Sequence, residues 1–219
     1  MGRQESYFAP SGIFPDGNRD VMRSRNRQYY EKFGDIFFIT STVAGFIDLF
    51  QSEAICEIFI NSLRFCQSRG DFTIIGYVLM PNHFHLLVKA KPDGSISAII
   101  GNIKRFTSRS ITKYLESTHQ IDLLDKLARA ASGEPADDSR IWKPRFDCFV
   151  LTNEDTVRQK LEYIHFNPVR RNLTDDSIGW RYSSARNYAG LSDVPLEVDI
   201  NWESLGYIRI PSENPPEAD

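Results

Sequence analysis

Two histidines stand one residue apart in the stretch MPNHFHLLV (80–88), and they are half of the four histidines in the chain. On a strand, residues i and i+2 point to the same face, so His83 and His85 project together while Phe84 turns to the other side. At a rise of about 3.3 Å per residue, their side chains start about 6–7 Å apart. Both imidazoles can then converge on one divalent cation. A second constellation lies in LEYIHFNPVRRNL (161–173). Tyr163 and Asn167 are four apart and share one face of a helix, with Lys160 and Thr156 close to that face. Each feature alone has an ordinary structural reading: partly exposed strand histidines, a rim tyrosine, an asparagine that ends a helix before Pro168. Together they suit one task. A tyrosine hydroxyl is a poor nucleophile near neutral pH. It can still attack a phosphodiester if a cation neutralises the non-bridging oxygens and holds the phosphorus in line. His83, His85 and the Asn167 amide oxygen supply three protein ligands. Amide and water ligands suit Mg²⁺ or Mn²⁺, and imidazole tilts the preference towards Mn²⁺. The remaining histidines, His119 and His165, have no obvious ligand spacing with the pair.

Such a site needs elements that hold it. IFFITSTV (36–43) is β-branched and aromatic and predicts a strand. Apolar residues at 55, 58, 59, 63 and 66 predict a helix from Ser52 to Arg69. FTIIGYVLM (72–80) and His83–Ala90 predict two strands of a hairpin turned at Pro81-Asn82. A helix capped by Ser95 or Ser97 buries Ile96, Ile99, Ile100, Ile103, Phe106, Ile111 and Leu115, with Lys104, Arg105, Arg109 and Lys113 on its opposite side. Residues 117–139 read as an inserted, partly helical or loose segment. IWKPRFDCFVLT (141–152) predicts a fourth strand, irregular at Pro144. Asn153 starts a last helix that runs to about Phe166 and stops at Asn167-Pro168. The order predicts an α+β fold: a ferredoxin-like β-α-β-β-α-β antiparallel sheet with helices on one face, plus an additional C-terminal helix carrying Tyr163.

The chain has 219 residues, room for one ordinary domain with extensions. Residues 1–30 read as an irregular lead-in and 191–219 as an acidic tail. No apolar run approaches the roughly 20 residues that span a bilayer, and the N-terminus has no apolar core of a secretory signal. Cys56, Cys66 and Cys148 are odd in number and sit in apolar or aromatic segments, as reduced cysteines of a cytoplasmic protein do. Net charge is −3, which argues mildly against nucleic acid. The acids are unevenly placed, however. Six acids face one base from Val194 to Asp219, and Glu116–Ser139 is acidic too, so the remaining body is basic. A local phosphate-binding surface is compatible with that distribution, as is ordinary solvated charge.

GYVLMPNHFHLLV (76–88), IWKPRF (141–146), LEYIHFNPVRRNL (161–173) and WRYSSARNY (180–188), in this order, resemble the single-tyrosine transposases of the HUH endonuclease superfamily. The resemblance is closest to the REP-associated tyrosine transposases. It covers roughly residues 30–190 and implies a transposase domain over 31–190, a divalent metal and cleavage of single-stranded DNA with hairpin-forming repeats. His83 and His85 fall on the metal histidines, Tyr163 on the nucleophile, and Asn167 on the polar residue that completes the metal site. The implied product is a covalent 5′-phosphotyrosine with a free 3′-OH. A 3′-OH can attack that link and rejoin strands without ATP. Members include monomers and homodimers. The basic set Lys104, Arg105, Arg109, Lys113, Lys143, Arg145, Lys160, Arg170 and Arg171 could track phosphates, and Trp142 or Phe146 could stack on an unpaired base. For Trp142 and Phe146 the alternative is a place in the core, favoured slightly for Phe146. Tyr114 is the second candidate nucleophile, although Thr118, one turn on, is a poor ligand. Two other classes stay open: a catalytically silent nucleic-acid-binding module on the same scaffold, and a metal-dependent hydrolase that uses water.

Overall fold

The computed structural model describes residues 21–23, 31, 36–131 and 141–205. The tail beyond residue 205, most of the N-terminal lead-in and the second part of the inserted segment lie outside the described residues. The strands are β1 (Val21–Arg23), β2 (Ile36–Thr42), β3 (Phe72–Met80), β4 (His83–Ala90) and β5 (Asp147–Leu151). The helices are α1 (Glu53–Ser68), α2 (Ile96–Ser117), α3 (Ile121–Ala131), α4 (Glu154–Arg170) and the short α5 (Ala185–Tyr188). The sheet order is β1-β5-β2-β4-β3, and every neighbouring pair is antiparallel. Four of these strands carry the expected ferredoxin-like topology. The fifth, β1, corrects the expectation of a wholly irregular lead-in, since Val21–Arg23 pairs along β5.

Side-chain alternation splits the sheet into two apolar faces. Phe37, Ile39, Tyr77, Leu79, Phe84, Leu86 and Val88 pack with α1 and α2. Ile36, Phe38, Val78, Met80 and Leu87 pack with Val157, Leu161 and Ile164 of α4. The helices expected on one face are α1 and α2, and the additional helix covers the other. A bulge in β3 between Ile74 and Gly76 resets the alternation, so that Tyr77 joins one core and Val78 the other. Gly76 also admits α4: a Cβ there would lie 2.7 Å from Leu161 Cδ2.

Local signals start the helices as expected. Ser52, Ser95 and Asn153 accept hydrogen bonds from the N–H groups of Ile55, Ala98 and Thr156. The end of α4 differs. The helix runs through Pro168 to Arg170, because a proline in the last turn forfeits a single intrahelical bond and its ring needs only a helical φ. Closure comes at Asn172, whose φ is 53°. Leu173 N–H returns to Pro168 O and Asn172 N–H to Val169 O, a Schellman termination. The expected fourth strand is shortened to Asp147–Leu151, with Trp142 left in an isolated bridge to Val43. The inserted segment is helical over α3, which packs on α2 and on the turn at Ala44–Phe46. Cys56, Cys66 and Cys148 are buried free thiols. Among the described residues, no helix is long and apolar enough to cross a membrane.

Candidate active site

Register decides what surrounds the histidines. On β2, Thr42 pairs with His83 and Thr40 with His85. Thr40 Oγ1 lies 2.7 Å from His85 Nδ1. His83 Nδ1 lies 2.8 Å from Asn82 Oδ1. The Asn82 amide nitrogen donates to Phe46 O and Asp48 Oδ1, so its oxygen is the acceptor and His83 carries its proton on Nδ1. Nε2 of His83 is then the ring's acceptor. His85 is 4% exposed, and its Nε2 is buried without a hydrogen-bond partner. An orphaned buried imidazole nitrogen next to a second imidazole, ring centroids 4.9 Å apart, is the donor arrangement a metal ion satisfies. Both imidazoles are held neutral and ligand-competent. Burial, with Arg171 nearby, lowers His83 to about 4. Burial first, then His83, Lys160 and Arg171, drives His85 well below its ordinary value.

Helix α4 delivers the second half. Tyr163 meets His85 edge-on at 5.2 Å between ring centroids and meets Phe38 at 6.0 Å. Phe38 in turn stacks on His85 at 5.3 Å. Asn167 follows one turn later and is 5% exposed. No cluster of three or more His, Cys, Asp or Glu side chains occurs among the described residues. The two imidazoles are the nitrogen donors the structure brings together, and Asn167 lies one helical turn beyond Tyr163.

Positive charge gathers at the same place. Lys160 is buried, with Nζ 4.7 Å from the Phe38 ring centroid and 5.6 Å from that of Tyr163. Desolvation pulls its ammonium down to about 8. Arg170 lies 5.5 Å from the Tyr163 ring. Lys143 sits at the strand end beside the pair, its N–H bonded to Thr42 O. Arg145 is exposed.

Other expected contacts are not brought together with this cluster. Lys104 is 3% exposed, and its ammonium donates to the carbonyls of Lys143 and Pro144. It is a buried tie rather than a phosphate contact, because position 104 continues the core stripe of Ile100, Thr107 and Ile111. Arg105, Arg109 and Lys113 are exposed on α2, which covers the Phe84 face of the sheet. Trp142 is 1% exposed, donates to Thr107 Oγ1 and packs its ring on Phe50, Phe59 and Phe84. It has no face for a base, whereas Phe146 is only partly buried, the reverse of the expected ranking. Tyr114 packs against the α1/α2 core, away from the histidines. The sequence marks neither Thr40 nor Phe38 for the site, and marks Asn82 only as a turn residue. Strand alternation puts Phe38 and Thr40 on one face, but only the register brings that face to His85.

A family model described as "Transposase IS200 like" matches residues 47–167, and the chain belongs to this transposase family. It is similar to a Haemophilus influenzae protein named as a REP-associated tyrosine transposase, 22% identical over 178 residues, covering 76% of this chain and 94% of the relative. A solved structure of a REP-associated tyrosine transposase bound to a REP hairpin aligns with a TM-score of 0.52 at 19% identity, covering 85% of this chain and 93% of the other. At that identity the likeness establishes the fold.

Proposed function

We propose that this protein is a metal-dependent, cytoplasmic single-stranded DNA endonuclease and strand transferase. It acts on hairpin-forming repeats through a covalent phosphotyrosine at Tyr163. The observation that carries the reading is the unpartnered Nε2 of His85 within a ring contact of Tyr163. Membership of the IS200-like family supports the reaction class, and the hairpin-bound relative supports the substrate class.

His83, His85 and Asn167 would hold Mg²⁺ or Mn²⁺. When bound, the ion supplies charge neutralisation at the non-bridging phosphate oxygens. Thr40 and Asn82 fix the two rings with their Nε2 atoms facing the site. Helix α4, clamped on the sheet by Leu161 and Ile164, presents the Tyr163 phenol. In the step itself the phenolic oxygen forms a bond to phosphorus and the 3′ oxygen departs. The phenol loses one proton and the 3′ hydroxyl gains one. Lys160 and Arg170 hold positive charge around the phenol as phosphate charge shifts. Strand transfer reverses the step with a different 3′-OH, conserving the phosphodiester.

A labelled single-stranded hairpin incubated with Mn²⁺ or Mg²⁺ and run on a denaturing gel tests this. The wild type is expected to give a protein–DNA adduct, Tyr163→Phe none, and His83→Ala none. An adduct that persists in Tyr163→Phe overturns the assignment, and cleavage unchanged in EDTA removes the metal.

A further inference from the structure

The loop between β2 and α1 contains four large apolar residues, Phe46, Ile47, Leu49 and Phe50. Three are buried, yet Phe46, equal in size to the largest of them, is 45% exposed. Its backbone is left-handed, φ 55°, directly after Gly45 at φ 62°. That conformation is unfavourable for an aromatic residue and persists only where the surroundings impose it. Here they do so. Ala44 N–H bonds to Ile141 O, Val43 N–H to Asn82 O, and the Asn82 amide caps Phe46 O. Helix α3 closes the side: a Cβ on Gly45 would sit 2.8 Å from Ala130 Cβ. The Lys143 ammonium lies over the Phe46 ring, 3.4 Å from its centroid. The Lys143 carbonyl is itself held by buried Lys104.

We propose that Phe46 and Lys143 form a stacking subsite for an unpaired base of the single strand that enters the histidine–tyrosine centre. An exposed aromatic ring beside an ammonium is the pairing that binds a base and its phosphate together. The subsite is tied to the chemistry through one side chain, since Asn82 bonds Phe46 O with its nitrogen and His83 Nδ1 with its oxygen. The stacking role expected of Trp142 passes to a residue three positions beyond its bridge partner Val43, and Trp142 becomes the buried support beside Phe84. The inference rests on the reading that the protein acts on single-stranded DNA.

The test uses the full chain in EDTA, where binding is read without cleavage. The probe is a hairpin oligonucleotide with a single-stranded tail of about ten nucleotides, within the usual footprint of such grooves. 2-Aminopurine is scanned along the tail. At one or two positions the wild type is expected to quench the fluorophore. Phe46→Ala is expected to lose that quench and bind the tail about tenfold or more weakly, and Phe46→Trp to retain both. Lys143→Gln is expected to flatten the salt dependence of tail binding. Quenching that survives in Phe46→Ala, equal losses in the Ala and Trp variants, or a change confined to self-association would overturn the subsite. If quenching behaves as stated but the wild type forms no adduct in Mn²⁺, the catalytic reading fails and the subsite stands. An adduct without Phe46-dependent quenching has the opposite meaning.

Discussion

At the scale of residues, the site is a pair of imidazoles held by their neighbours, Asn82 on His83 and Thr40 on His85. Thr40 contributes a single hydrogen bond to His85 Nδ1, and Thr40→Val keeps the shape while removing it. Such outer partners set ring orientation and ligand basicity, and losing one typically weakens metal binding about 10- to 100-fold. Titration with Mn²⁺ is expected to give a loss of that order with the fold intact. Unchanged affinity would mean that packing between Phe38 and Tyr163 alone orients the ring. Lys160 is the other residue with a legible purpose. An ammonium buried among aromatic rings is unfavourable for stability, and its value near 8 means the unfolded chain binds the extra proton between about 8 and 10.5. Stability therefore rises with pH through that window. Lys160→Met is expected to raise stability at pH 7 by about 1–2 kcal/mol while slowing adduct formation. A variant that is both more stable and fully active would remove Lys160 from the chemistry.

Among the elements, α4 matters most, because it carries Tyr163 and Asn167 and depends on close approach to β3. Gly76→Ala would push a methyl into Leu161 Cδ2. Overpacking of this kind costs about 1–3 kcal/mol, and the displaced helix would carry the nucleophile with it. Denaturant midpoints and adduct rates are expected to fall together, and the loss caused by Gly76→Ala is expected to be smaller in a Leu161→Ala background than in the wild type. Fully additive losses would point to the β3 bulge instead of the helix contact. Much of this layer was legible in the sequence. The helix starts at Ser95 and Asn153 and the apolar periods of α1 and α2 are local signals, and they hold. Lys104 misled because its charge suggested a solvent face, while its position lies on the core stripe. Pro168 misled because its steric veto on a preceding helical residue is a preference that tertiary packing and the Asn172 closure override.

For the whole molecule, two apolar cores sandwich one sheet, and the buried imidazoles couple its stability to pH. His83 and His165 are lowered to about 4, and His85 lies well below its ordinary value, chiefly by burial. His165 bonds Ser184, which ties α4 to the segment beside β3. These groups stay unprotonated in the fold while the unfolded chain takes up protons below about 6.5. The histidine contribution to stability is therefore expected to be complete above that pH and to fall steadily towards about 4. Urea unfolding in the presence of a chelator, across pH 4 to 7.5, checks this. A midpoint that does not move across the range would mean the histidines are solvated in the native state.

The sequence by itself determined the alternation that turns His83 and His85 together, the helical spacing of Tyr163 and Asn167, and the strand–helix order of the fold. Those are properties of neighbours along the chain, written in a period of 2 or 3.6. Tertiary structure alone decided that Thr40 and Phe38 back the histidines, that Lys104 and Trp142 are interior, and that Phe46 is held outward beside them. These depend on register and on which face a helix buries, and both are settled by contacts between segments far apart in the chain.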